Sequence, residues 1–116
     1  MKSIDCTEVQ RYLESFVETD VYMHLETTNG SYAALRDDNA MSVCVFIRND
    51  TVNFSRASIK GTGPYRVGLK LDKGWVYATG LTDFEVTGRG ELLLAGHDSE
   101  GRLAVGLELS HQPFVD

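Results

Sequence analysis

The sequence predicts an α+β fold: a long antiparallel meander, curled or closed into a partly open barrel, with one N-terminal helix packed on it. Three observations predict it. Only one segment, Thr7 to Val17, carries a helical period. From Val21 onward apolar and polar residues alternate at a period of two. The alternating runs are also joined by short turn signals, Asn29-Gly30, Asn49-Asp50, Asp72-Lys73-Gly74 and Asp98-Ser99-Glu100-Gly101. About eight or nine short strands connected this closely curl or fold over instead of lying flat.

The helix is read from Val9, Leu13, Phe16 and Val17, spaced i, i+4, i+7, i+8, with Tyr12 at the border of that face. Asp5 or Thr7 can cap it, because Glu8 and Gln10 follow each of them at capping-box spacing. A helix of about eleven residues is marginal alone in water, so it must pack on the sheet. In the next segment Val21, Met23 and Leu25 alternate with Tyr22, His24 and Glu26, the pattern of a half-buried strand. Asn29-Gly30 then turns the chain back through Ser31 to Leu35, and Arg36 to Asn39 is a solvated loop.

Met41 to Arg48 and Thr51 to Ser58 are expected to form a hairpin about Asn49-Asp50. That register puts Val45, Ile47, Val52 and Phe54 in the core and turns Cys44 and Phe46 to the other face. The central stretch, Ser58 to Val86, closes on Asp72-Lys73-Gly74, with Leu71 opposite Trp75, Leu69 opposite Tyr77 and Val67 opposite Thr79 on the core side. Arg66, Gly68 and Lys70 then share the opposite face with Val76 and Ala78. A short strand follows at Phe84 to Thr87. Glu91 to His97 pairs with Arg102 to Leu109, Leu92 and Leu94 meeting Leu107 and Val105. The back of this last hairpin is small, with Leu93 beside Gly106 and Ala95 beside Ala104. His111 to Asp116 reads as a tail, and Pro113 ends the ladder.

At 116 residues the chain is one domain, able to bury a core without disulfide or metal. A formal charge of -6 and a pI near 4.9 argue against a nucleic-acid backbone or an anionic membrane as partner. The sequence holds no apolar run of membrane-spanning length and no signal-peptide core, which points to the cytoplasm. Cys6 and Cys44 fit no metal or CxxC spacing and are expected as free thiols.

The candidate sites are weighed against simpler readings. Lys60, Gly61, Gly63, Tyr65 and Arg66 form a glycine-rich bend flanked by two cations, where backbone N–H groups could hold an anion with Tyr65 as an aromatic wall. No GK[ST] follows and no helix opens there, so it is not a P-loop, and a tight inter-strand connection also accounts for the glycines. His24 and Glu26 share a strand face and could ligate a metal if His97 joined them; a solvated polar face is the simpler reading. Cys44 has no cation or helix N-terminus beside it in the sequence and is read as a buried, inert thiol. Neighbours on a strand point apart, so His97 and Asp98 form no hydrolase dyad. Two faces are candidate interfaces: Phe46 with Cys44, and Ala95 with Ala104 and Gly106.

Several segments together carry a resemblance: YMHLETTNGSY (Tyr22 to Tyr32), IRN (Ile47 to Asn49), IKGTGPYRVGLK (Ile59 to Lys70), GWVYATGLT (Gly74 to Thr82) and AGH (Ala95 to His97). From about Val21 to Phe114 the chain resembles the YojF family of small bacterial proteins, a domain of unknown function. The resemblance supplies no catalytic or binding residues and no cofactor. It implies a context, since such proteins are typically encoded beside a zinc-dependent deacetylase of the bacillithiol-synthesis type. The expectation is therefore a non-catalytic accessory protein, a homodimer or a partner of such a deacetylase in low-molecular-weight thiol metabolism. The alternative is a domain that binds an anionic metabolite at the Lys60–Arg66 bend, and a metal hydrolase ranks last.

Overall fold

Residues 1–28 and 43–115 are described in the computed structural model of the protein; within them one helix and nine strands form two open sheets. The elements are β1 (Lys2–Ser3), α1 (Cys6–Glu14), β2 (Val21–Thr28), β3 (Cys44–Val52), β4 (Arg56–Lys60), β5 (Tyr65–Lys70), β6 (Trp75–Leu81), β7 (Asp83–Val86), β8 (Leu92–His97) and β9 (Leu103–Ser110). The larger sheet runs β1-β7-β8-β9-β2-β3 and the smaller β4-β5-β6, with every pairing antiparallel. No closed barrel forms among the described residues. The Asn29-Gly30 turn, its return through Leu35 and the Arg36–Asn39 loop lie outside them. No described helix is long and apolar enough to cross a membrane.

The helix follows its period but ends at Glu14, so Phe16 and Val17, expected on it, lie in the turn that follows. Asp5 is the cap, its carboxylate accepting the Glu8 N–H at 3.1 Å, and Val9, Leu13 and Phe16 are buried. Burying side chains of this size stabilises by about 1.5–3 kcal/mol each. On the helix flank, Gln10 Nε2 donates to Ala57 O at 2.9 Å while Ile59 N–H donates to Gln10 Oε1 at 3.0 Å. One side-chain amide thus occupies the free edge of β4 as a further strand would.

A single core lies between the sheets. Val21, Met23, Phe84, Leu92, Leu94, Leu107 and Leu109 come from the larger sheet and Ala57, Val67, Leu69, Ala78 and Leu81 from the smaller. Near the end of β6 the two backbones almost touch. A Cβ built on Gly96 would lie 2.1 Å from Gly80 O, so only glycine fits there.

Three predicted registers are corrected. Asn49-Asp50 does not turn the chain: β3 runs through it and pairs with β2, Met23 facing Asp50 and His24 facing Arg48. Asn49, at φ 59, is the extra residue of a bulge, so the predicted positive φ serves a different device. Its amide clasps the C-terminal segment: Phe114 N–H donates to Oδ1 at 2.7 Å and Nδ2 donates to Phe114 O at 2.9 Å. Phe114 is accordingly buried and the segment is no free tail. Val45 and Ile47, predicted in the core, are 66% and 39% exposed, and Cys44, predicted buried, is exposed.

In the central hairpin the loop has four residues, Leu71 to Gly74, closed by Leu71 N–H donating to Gly74 O at 2.8 Å. Lys70 therefore faces Trp75, Gly68 faces Tyr77 and Val67 faces Ala78. A slip of one residue turns every side chain of β6 over. Val76 and Ala78 point inward, and Trp75 and Tyr77 point to solvent. Between β8 and β9 the slip is of two: Leu92 faces Leu109, Leu94 faces Leu107 and Ala95 faces Gly106. An even slip keeps the predicted faces.

Candidate functional site

The corrected register of β4-β5-β6 assembles a surface that neither strand shows alone. Alternation sends Ala57, Ile59, Val67, Leu69, Val76 and Ala78 to the core side, leaving three cross-strand rows on the outside. The first is Arg56–Lys70–Trp75, the second Ser58–Gly68–Tyr77 and the third Lys60–Arg66–Thr79. Four of the chain's eleven Lys and Arg residues share this face, which carries no carboxylate, in a protein of net charge -6. No ion pair to a carboxylate holds any of the four among the described residues. Moreover, Arg56 stands directly opposite Lys70, and Lys60 directly opposite Arg66. Such like-charge cross-strand pairs oppose folding.

The aromatic rings answer part of this repulsion. The guanidinium of Arg66 lies 4.8 Å from the Tyr77 ring centroid, that of Arg56 lies 5.9 Å from Trp75, and Lys70 Nζ lies 5.7 Å from Trp75. The two rings stack, with centroids 5.5 Å apart and planes at 8°. Tyr77 reaches its place because Gly68 has no side chain: a Cβ there would sit 3.0 Å from Tyr77 Cε1. A depression of about 120 Å³ runs along the face, from Arg56 and Trp75 past Ser58 and Tyr77 to Lys60 and Arg66.

Of the predicted bend, Lys60 and Arg66 lie on this face and the rest does not. Gly61 and Gly63, at φ 115 and 112, make the turn itself, followed by a cis Gly63–Pro64 bond. Tyr65 packs on the core and lies over Gly63, so Tyr77 is the aromatic group beside Arg66. The slipped register hid Tyr77 and Trp75 from the sequence reading; the signal available was a Trp-x-Tyr repeat facing an Arg-x-Gly-x-Lys repeat.

On the larger sheet, His24 and Glu26 do meet, Nε2 to Oε1 at 3.0 Å, beneath the exposed Phe46, whose ring stands edge-on to the imidazole at 5.1 Å. His97 does not join them. Its Nδ1 lies 2.8 Å from Asp83 Oδ2, and its backbone N–H donates to Thr82 Oγ1 at 3.0 Å. The Thr82 hydroxyl and the His97 ring together hold the Asp83 carboxyl below the usual carboxylate range. No group of three His, Cys, Asp or Glu residues converges as a metal site among the described residues. Asp98 remains in its loop, held low chiefly by the Arg102 backbone N–H. Of the small-residue face, Ala95 and Gly106 pair and are buried, with Glu26 Cγ 3.5 Å from where a Gly106 Cβ would be; Ala104 is exposed. Glu26 thus fills much of the room those residues leave.

Comparison with known proteins places this architecture. The chain is 49% identical over 115 residues to an uncharacterised Bacillus subtilis protein, YojF, covering 99% of each. It superposes on the crystal structure of Bacillus subtilis YojF with a TM-score of 0.83 at 43% identity, covering 99% of this chain and 97% of that one. Residues 3–114 match the family described as a protein of unknown function, DUF1806. With the fold and nearly the whole length in agreement, the chain belongs to the DUF1806 family, the family of YojF.

Proposed function

We propose that the protein is a non-catalytic binding module of the cytoplasm, whose working surface is the outer face of β4-β5-β6 and whose ligand presents anionic groups to it. The two cation–cation pairs, Arg56–Lys70 and Lys60–Arg66, carry this reading. Each opposed pair costs the fold on the order of 0.2–1 kcal/mol, and an anion seated between its members reverses the sign. The test is calorimetric titration with inorganic tripolyphosphate at low salt. Wild type should bind, and Lys60→Ala with Arg66→Ala should abolish the heat. A wild type that binds neither tripolyphosphate nor an acidic peptide would overturn the reading.

A second reading rests on the start of β3, where Phe46 is exposed on one face and Val45 and Ile47 on the other, with Val43 exposed just before the strand. Exposed apolar surface of this kind suits a protein contact. It fits the accessory role in thiol metabolism that the family resemblance implies, with a second copy of the chain or a deacetylase-type enzyme as the occupant. Solution mass of wild type and Phe46→Glu, alone and mixed with such an enzyme, tests it; a monomer that forms no complex at micromolar concentration removes it.

A further inference from the structure

We infer that the anion recognised by the β4-β5-β6 face belongs to a small nucleotide with two or more phosphates, its ring system stacked on Trp75 and Tyr77 and its phosphates held by Lys60 and Arg66. This inference rests on the binding reading above and specifies its ligand.

The aromatic pair calls for more than charge. Trp75 and Tyr77 are 41% and 50% exposed, stacked on each other. A site for inorganic anions gains little from two large rings in water, whereas a planar heteroaromatic gains stacking area on them. The rings are also prearranged. Gly68 leaves the space that the Tyr77 ring fills, and Arg66 lies 4.8 Å from that ring's centroid. Because Arg66 lies over that ring, a ring system stacking there displaces the guanidinium to its edge, where the first phosphate would meet it.

Length and charge narrow the class. Arg56 and Lys60 are four residues apart on one strand, about 13 Å at the usual rise, so one compact anion cannot serve both cation pairs. The rows place the aromatic groups toward the Arg56–Lys70 end and the second pair beyond them, which matches a molecule with a ring at one end and several phosphates at the other. The depression is only about 120 Å³, room for one phosphate group, so the ligand lies across the face and is not enclosed. A long polyanion would meet the rest of a chain of charge -6, which repels it; a nucleotide touches only the positive face.

Trp75 is the sole tryptophan, so its fluorescence reports on this face alone. The titrants are ATP, inorganic tripolyphosphate, adenosine, a deoxythymidine oligomer and a polyglutamate peptide, in low salt without divalent metal. The expected result is quenching by ATP, with affinity about tenfold or more above that of tripolyphosphate, the size of one base–aromatic stack. Gly68→Ala, which displaces the Tyr77 ring while circular dichroism reports an intact fold, should erase that advantage, so that ATP binds no more tightly than tripolyphosphate does. Trp75→Leu, followed by calorimetry, should do the same if Gly68→Ala fails to fold. Equal affinity for ATP and tripolyphosphate would overturn the nucleotide assignment and leave the anion face standing. Tighter binding of the oligomer or of polyglutamate than of ATP would overturn it in favour of a polymer. Binding of none of the titrants would remove both.

Discussion

Gly96 is where the packing of the two sheets can be tested most sharply. Its Cβ in Gly96→Ala would lie 2.1 Å from Gly80 O, 2.6 Å from Val105 Cγ1 and 3.0 Å from Gly80 C. Two of those three atoms are backbone, so no side-chain rotation relieves the overlap; β6 must move away from β8. Restoring contact distance opens the interface by roughly 1 Å, and a gap of that size forfeits up to about half of the dispersion energy of the atoms lining it. Buried neighbours on both sides, Ala78, Leu81, Leu94 and Val105, would share the loss. The expected cost is about 3 kcal/mol or more, at or beyond the upper end for overpacking, out of a total of about 5–15 kcal/mol for a domain. In urea, where small proteins show slopes of about 1–3 kcal/mol/M, the midpoint should fall by roughly 1–3 M. Gly88→Ala is the control, since nothing lies within 4 Å of its Cβ and its φ is negative or extended. It should leave the midpoint unchanged or raise stability by about 0.4–1 kcal/mol. If Gly96→Ala and Gly88→Ala unfold at the same urea concentration, the close approach of β6 and β8 is not a feature of the folded protein.

Three further outcomes are expected. Gln10→Ala removes both bonds to the β4 edge and should cost about 1–2 kcal/mol in urea unfolding, with increased light scattering on warming as Ala57 and Ile59 become available to another chain. Gln10→Glu keeps only the acceptor and sets a carboxylate against Ala57 O, so it should be the worse of the two. Asp83 has a folded-state pKa below the ordinary value of 3.8, through the Thr82 hydroxyl and then His97. The stability it contributes is complete above that value and is lost as pH falls through the lower, folded-state value. Asp83→Asn should therefore flatten the acid limb of a plot of urea midpoint against pH, and an unchanged limb would show that Asp83 does not titrate as described.

Much of the architecture was legible because it depends on periods. The helix, its Asp5 cap and its buried face follow from the spacing of Val9, Leu13 and Phe16, and the strands β2, β7, β8 and β9 from alternation. What failed was turn geometry. Asn49 carries the positive φ that its type suggests, yet a positive φ serves a bulge as readily as a hairpin, and only the pairing of β3 with β2 decides between them. At Leu71 to Gly74 a loop one residue longer exchanged the faces of β6. The inward placing of Trp75 and Tyr77 rests on that turn, and the longer loop turns them out and Val76 and Ala78 in. The candidate site was half legible for the same reason: Lys60 and Arg66 flank a visible bend, whereas their aromatic neighbours arrive only through the correct register. Asp83 beside His97 depends on β7 lying next to β8, which neither residue announces.

The segregation of charge on β4-β5-β6 also bears on how a collision begins. Seventeen acidic and seven basic residues lie elsewhere on the chain and four basic ones are gathered on this face, so it is a positive patch on an acidic protein. An approaching anion is turned away from most directions and drawn in from one, so encounters arrive already oriented. Added electrolyte should accordingly slow capture more than it hastens escape.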